Sequence, residues 1–296
     1  MNKGAPETGR LFTVSWEPKM TITQRVSGFI VILLALLLSA GLAEAEDLRL
    51  TVRSAILFDM TTDRILYTHN ADAPVQPASI TKVLSLYIAT EAIREGNVHP
   101  GDPVKVSRTA GRTNGSTMHI TAGSEIPLKE LLEGMAVVSA NDASVAVAEY
   151  IGGNVRGFVQ RMNRKARELG MTGSFFVNPN GLPAKGQVTT ARDVLTLACD
   201  YIRRFPELLN MHSQQYFTYR DITRHNSNNL LRLHPSVDGL KTGWVRKAGY
   251  HIIATAKRED TRLIAVVMGA KNLAIRTRET ERLLDKGFRM VRENRG

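Results

Sequence analysis

Ser79 and Lys82 stand three residues apart in "PASITK", and a largely apolar run from Val83 to Ala89 follows directly. On a helix this spacing stacks the two side chains one turn apart on one face. A serine hydroxyl is a poor nucleophile until a base takes its proton. A lysine amine can be that base only if its pKa falls, which burial and nearby positive charge both promote. The positive end of the helix dipole adds to this, since Ser79 would sit in the first turn. By itself the tetrapeptide favours a blander reading, a capping serine beside a solvated lysine. Two further clusters change that balance. In "VVSANDAS", Ser139 and Asn141 interrupt an apolar stretch between Met135–Val138 and Val145–Ala148, where polar side chains need partners. The hydroxyl can relay a proton, and the amide can donate to and accept from a peptide bond. A helix–helix corner capped by Asn141 is the alternative. In "VDGLKTGW", Lys241 and Thr242 can present charge and a hydroxyl to an anionic substrate end, while Gly243 lets a backbone approach closely. The alternative there is a plain strand and turn.

The elements that must position these residues are legible in the hydrophobic period. Leu50 to Tyr67 reads as a β-hairpin with a polar "DMTTDR" turn. Ser79 to Glu95 reads as a helix ended by Gly96, with Val83, Leu86, Tyr87 and Ala89 facing in. Asn97 to Gly123 is turn-rich, with short strands and loops. Pro127 to Gly170 is helical, and Val159, Met162, Ala166 and Leu169 mark one face of its last helix. "NPNGLP", Asn178 to Pro183, is a loop, and Thr189 or Thr190 caps the next helix. "GYHIIATAKREDTRLIAVVMGA" is two apolar strands around a charged turn, with Lys241, Thr242 and Gly243 just before them. A closing helix runs from about Ile275 to Arg292, with Leu283, Leu284 and Phe288 inward. Strands at both ends and helices between them make an α+β, or mixed α/β, domain in which the front hairpin joins the back strands in one sheet.

Of the 296 residues, 43% are hydrophobic and 23% charged, an ordinary globular balance. Lys19 and Arg25, the apolar run from Val26 to Leu38 and "AEA" at Ala43–Ala45 form a secretory signal peptide pattern. The run is shorter than the ~20 residues of a spanning helix. Residues 1–45 are therefore expected to be a signal peptide with an upstream extension, cleaved after Ala45, and the mature protein an exported one of the periplasm or cell envelope. The formal charge of +11 suits an anionic envelope surface; without a run of like charges, nucleic acid is not expected as a partner. Cys199 is the single cysteine, so no internal disulfide can form. It falls in an apolar helical pattern and reads as an inert packed thiol.

Serine-x-x-lysine, serine-x-asparagine and lysine-threonine-glycine, in that order, are the active-site set of β-lactamases and penicillin-binding proteins. Beyond the triads, "PASITK", "GSTMHITAGSEIPLKELLEGMAVVSANDASVAVAEYIGG", "LGMTGSFFVNPNGL", "TTARDV" and "VDGLKTGWVRKAGYHIIATA" resemble the D-alanyl-D-alanine carboxypeptidase family of low-molecular-mass penicillin-binding proteins. The resemblance extends from about Leu48 to Val291. It implies a β-lactamase/transpeptidase-like fold, an antiparallel sheet of about five strands packed with helices beside a mostly helical lobe. It also implies a serine peptidase, free of cofactor and metal, acting on the D-Ala-D-Ala end of peptidoglycan stem peptides. Ser79 would attack the penultimate D-Ala carbonyl, with Lys82 as general base and Ser139 passing the proton to the leaving amine. Asn141 would hold the substrate amide. Lys241 and Thr242, followed by Gly243, would meet the terminal carboxylate, with Arg276, before the last helix, as a second contact. The N–H groups of Ser79 and Trp244 would form the oxyanion hole. β-Lactam antibiotics, which resemble the same dipeptide end, would acylate Ser79 as covalent inhibitors.

Two departures stand out. Trp244 follows the triad where family members often have a smaller or polar residue. Many relatives also carry a β-rich second domain and a C-terminal amphipathic anchor. Here residues 46–296 are expected to form one catalytic domain with a helical lobe, without either, and with no integral membrane span once the signal is removed. Among alternatives, a DD-endopeptidase cutting crosslinks would use the same machinery. A class A β-lactamase would need a glutamate in E-x-x-L-N, which neither Glu168 nor Glu207 satisfies. A non-catalytic peptidoglycan-binding module would have lost one of the chemical residues. G-x-S-x-G and H-E-x-x-H are missing from the sequence, and His251, inside a strand, reads as a surface or packed residue.

Overall fold

Front and back of the chain meet in one sheet. The computed structural model describes residues 48–293; the expected signal segment lies outside them. In chain order, β1 (Ser54–Asp59) and β2 (Arg64–His69) form the front hairpin, and a 3-10 turn at Ala78–Ile80 opens α1 (Thr81–Arg94). The helical lobe follows: β3 (Pro103–Lys105), α2 (Arg108–Gly111), β4 (Glu125–Pro127), α3 (Leu128–Val137), α4 (Asn141–Gly152), α5 (Val155–Glu168) and α6 (Ala191–Arg204). Then come α7 (Leu209–His212), β5 (Tyr216–Tyr219), β6 (Ile222–His225), α8 (Leu230–Leu233), β7 (Val237–Val245), β8 (Gly249–Arg258), β9 (Thr261–Ala270) and α9 (Leu273–Glu293).

The five-stranded sheet has the order β2-β1-β9-β8-β7, antiparallel throughout. β8 and β9 are covered on both faces, which is why their sequences are nearly continuous apolar runs. Alternate residues of the strands serve different layers. Leu57 and Leu263 lie under α9, where Gly287 leaves no room for a Cβ. Ile56, Ile264 and Val266 join the core shared with α1 and the helical lobe. From Thr81 to Thr90 every residue of α1 is buried. A helix surrounded on all sides is a core element, and α1 packs against α3, α4, α5 and α6.

Several elements differ from the sequence expectation. The helical stretch from Pro127 is broken twice, at Ser139 with φ +62° and at Gly153 with φ +72°, giving three helices. Lys241, Thr242 and Gly243 do come before the β8–β9 pair, but they lie inside a further strand, β7, at an edge of the sheet. Arg276 does not precede the last helix: α9 begins at Leu273 and contains it. The hairpin of β5 and β6 had no strong alternation to announce it. Thr190, not Thr189, caps α6 by accepting from the Asp193 N–H. Cys199 is a buried free thiol. Among the described residues no helix is long and apolar enough to cross a membrane.

Candidate active site

The serine sits on a backbone turn shaped before the helix begins. Ala78 has φ +48°, a left-handed value that costs a non-glycine residue about 1–2 kcal/mol and persists only where its surroundings hold it. Gly181 faces the Ala78 carbonyl at a distance no Cβ would tolerate. Ser79 is half-buried, and Lys82 on α1 is fully buried. Lys82 Nζ lies 2.9 Å from Ser79 Oγ, 2.7 Å from Asn141 Oδ1 and 2.7 Å from the Asn180 carbonyl. The last two atoms can only accept. A neutral amine would give its two N–H groups to them and leave its lone pair toward the serine hydroxyl, the arrangement a general base needs. The amine is held well below the ordinary lysine range, chiefly by burial and next by the Lys241 charge, with Asp142 opposing.

Ser139 and Asn141 come from the corner between α3 and α4. The left-handed backbone at Ser139 turns the chain so that Asn141 opens α4 facing α1. Asn141 Nδ2 donates to the Asn114 carbonyl at 2.8 Å, which orients the amide with its oxygen toward Lys82. Gly115 clears the space: a Cβ there would lie 2.7 Å from Asn141 Nδ2. The Asp142 carboxylate accepts from the N–H groups of Met118, Ile120 and Ala143, tying the 114–120 loop to α4. Ser139 is buried beside this network, and among the described residues no hydrogen bond joins its hydroxyl to Ser79 or Lys82.

The edge strand β7 supplies the third wall. A Cβ on Gly243 would lie 3.0 Å from Ser79 N, so the glycine lets the strand run against the nucleophile turn. Lys241 is buried and donates to the Thr242 carbonyl at 3.1 Å. Burial, with the Arg276 charge second, lowers its pKa to about 7. Thr242 donates to Ser227 Oγ at 3.1 Å. Arg276 reaches across from α9 to Asn229 Oδ1 at 2.6 Å, and burial lowers its pKa to about 10. Buried Arg276, with Lys241 whenever it is protonated, makes this wall of the site electropositive. Trp244, the next residue along β7, is 53% exposed with its ring 5.8 Å from that of Tyr250. Chemically, the arrangement can deprotonate a serine, stabilise a developing oxyanion and receive an anionic group.

The sequence model of the peptidase S11 family, D-alanyl-D-alanine carboxypeptidase, matches residues 42–272. The chain belongs to that family. The D-alanyl-D-alanine carboxypeptidase DacF of Bacillus subtilis is 37% identical, over 82% of this chain and 64% of its own length; the chain thus spans under two thirds of that relative. Penicillin binding protein 5 from Haemophilus influenzae superposes with a TM-score of 0.79 at 36% identity, covering 81% of this chain and 71% of that one. A D-alanyl-D-alanine endopeptidase of Pseudomonas aeruginosa is 30% identical over 77% of this chain and 74% of its own.

For this carboxypeptidase-family chain, the residues missed in the sequence are those that hold the named ones. The Asn180 and Asn114 carbonyls carry no signal, because any residue has a carbonyl. Asp142 had one: a carboxylate directly after the serine-x-asparagine triad, inside an apolar stretch. Ser227, Asn228 and Asn229 had another in the polar run "HNSNN", where Asn228 Nδ2 donates to the Gly239 carbonyl of β7 at 3.1 Å.

Proposed function

We propose that the chain is a serine-type D-Ala-D-Ala carboxypeptidase that removes the terminal D-alanine from peptidoglycan stem pentapeptides and is acylated by penicillins. The observation that carries this reading is Lys82, buried and held well below the ordinary lysine pKa, with Ser79 Oγ, Asn141 Oδ1 and the Asn180 carbonyl at hydrogen-bond distance. Ser79 Oγ attacks the penultimate D-Ala carbonyl as its proton passes to Lys82. The oxyanion meets the N–H groups of Ser79 and Trp244, in the space Gly243 keeps open. The peptide C–N bond breaks, the leaving amine takes a proton by way of Ser139, and an ester remains on Ser79. Water then hydrolyses it. Asn141 holds both Lys82 and the substrate amide, since its Nδ2 carries a second hydrogen beyond the one given to Asn114. Lys241, Thr242 and Arg276 receive the terminal carboxylate, and Trp244 lines the exposed end of the groove. Residues 46–296 are the exported catalytic domain, released into the periplasm or cell envelope by cleavage after Ala45.

Incubation with a stem pentapeptide and, separately, with a crosslinked stem dimer tests the reaction. Release of D-alanine from the pentapeptide supports the carboxypeptidase; cleavage of the dimer alone makes it an endopeptidase, the reading that the Pseudomonas relative supports. Labelled penicillin should be found on Ser79 by mass spectrometry. Label retained by Ser79→Ala would refute the nucleophile.

A further inference from the structure

His251 lies in β8, register partner of Gly243, and is completely buried. Both ring nitrogens have a partner. Gly269 N–H donates to Nδ1 at 2.9 Å, and Nε2 stands 3.0 Å from the Gln76 carbonyl. A carbonyl only accepts, and an N–H only donates, so the ring is the neutral tautomer with its proton on Nε2. The β8–β9 ladder is irregular where this bond is made. Pairing slips at this point, with Tyr250 opposite Ala270 but Ile252 opposite Val267. Gly269 in the bulge has φ +78°, and a Cβ on it would lie 2.4 Å from Arg53 Cβ. A bulge re-aims groups that the regular ladder would use; here it gives a backbone N–H to an imidazole.

Gln76 begins the turn that carries the nucleophile. Val75 is fixed by paired backbone bonds with Thr189, both 2.9 Å, and Ile80 N–H closes the turn on the Pro77 carbonyl at 3.2 Å. Between them stand Pro77, which has no N–H, and the left-handed Ala78. The His251 side chain ties this stretch to β8. Burial lowers its pKa to about 4, so the donating tautomer persists across neutral pH.

We propose that His251 is a positioning residue for the nucleophile: its Nε2–H holds the Gln76 carbonyl and so sets where Ser79 stands against Lys82 and β7. This rests on the acyl-transfer reading of the site. It acts through the turn and touches no substrate.

His251→Phe keeps the ring volume but neither polar contact, whereas the amide of His251→Gln offers a donor to Gln76 and an acceptor to Gly269. Labelled penicillin titrated over concentration separates the dissociation constant of the pre-covalent complex from the acylation rate constant. Misplacing a reacting group slows the chemical step, so His251→Phe should acylate about tenfold more slowly or worse, with the pre-covalent constant within about twofold of wild type. His251→Gln should recover to within about threefold. If the Phe variant does not fold, His251→Asn replaces it, since its shorter amide reaches one partner but not both, and it should be slowed in the same way. Wild-type acylation in the Phe or Asn variant, or a Gln variant as slow as either, overturns the positioning role. So does an equal loss in the pre-covalent complex. A wild-type chain that takes no label, or a Ser79→Ala chain that does, overturns the acyl-transfer reading itself.

Discussion

Replacing Gly243 by alanine should damage the chemistry more than the fold. The new Cβ would sit 3.0 Å from Ser79 N, 3.1 Å from Ala78 Cβ and 3.3 Å from Ile80 N. Attractive carbon contacts lie at about 3.5–4.0 Å, so strand and turn must separate by a few tenths of an ångström. Two of the three neighbours are backbone nitrogens, which no side-chain rotation can move. Overpacking of this kind costs about 1–3 kcal/mol, and in a domain of this size each kcal/mol lowers Tm by roughly 2–4 °C. The shift falls on the N–H expected to face the oxyanion and on the serine itself. Since a misplacement of about 1 Å costs about 10²-fold, Gly243→Ala should slow acylation by about tenfold. Stopped-flow labelling with a fluorescent penicillin, beside a thermal melt, measures both. Gly153→Ala is the control: its φ is +72° with open space around it, so it should lose about 1–2 kcal/mol of stability and acylate normally. A Gly243→Ala enzyme that acylates at the wild-type rate, or a Gly153→Ala enzyme equally slowed, would refute the close-approach reasoning.

Lys82→Arg should fold and yet fail to acylate, by about 10²-fold or more, because a guanidinium does not give up its proton at neutral pH; an active Arg variant, assayed by penicillin labelling and circular dichroism, rules out the base role. Lys241, lowered to about 7 by burial and Arg276, gives a pH signature in stability. Between that value and the ordinary lysine value of about 10.5 the unfolded chain binds a proton that the folded chain does not, so stability declines as pH falls through that window. Urea melts at several pH values should show this decline, and Lys241→Met should flatten it; an unchanged slope would count against a depressed Lys241. The Cys199 thiol, pushed up to about 12 by burial, should resist a thiol reagent in the native protein and react once unfolded, and rapid native labelling would contradict its packing.

What could be read in the sequence was whatever is local or periodic. Ser79 and Lys82 are three residues apart on successive helical turns, so their contact follows from helix geometry. The long apolar runs of β8 and β9 declared an antiparallel strand pair, and the two chain ends that read as strands do pair, β1 against β9. β7 was harder, because the lysine and threonine that give it its chemistry mask its hydrophobic period. Its residues could be listed and assigned to a strand edge, but not the extent of the strand or its pairing with β8. The break at Ser139 was legible only as an alternative, a helix–helix corner: apolar residues on both sides suggest a continuous helix, and backbone dihedrals decide for the turn.

Residue types and their order were enough to name Ser79, Lys82, Ser139, Asn141 and the Lys241–Gly243 triad as one candidate set, because each carries a chemical group no substitute provides. Their distances, the direction of the Asn141 amide, the anchoring of the serine turn by His251 and the reach of Arg276 from α9 were decided by tertiary structure. Those depend on backbone carbonyls, left-handed dihedrals and contacts across more than a hundred residues, and none of them is written in the identity of any single residue.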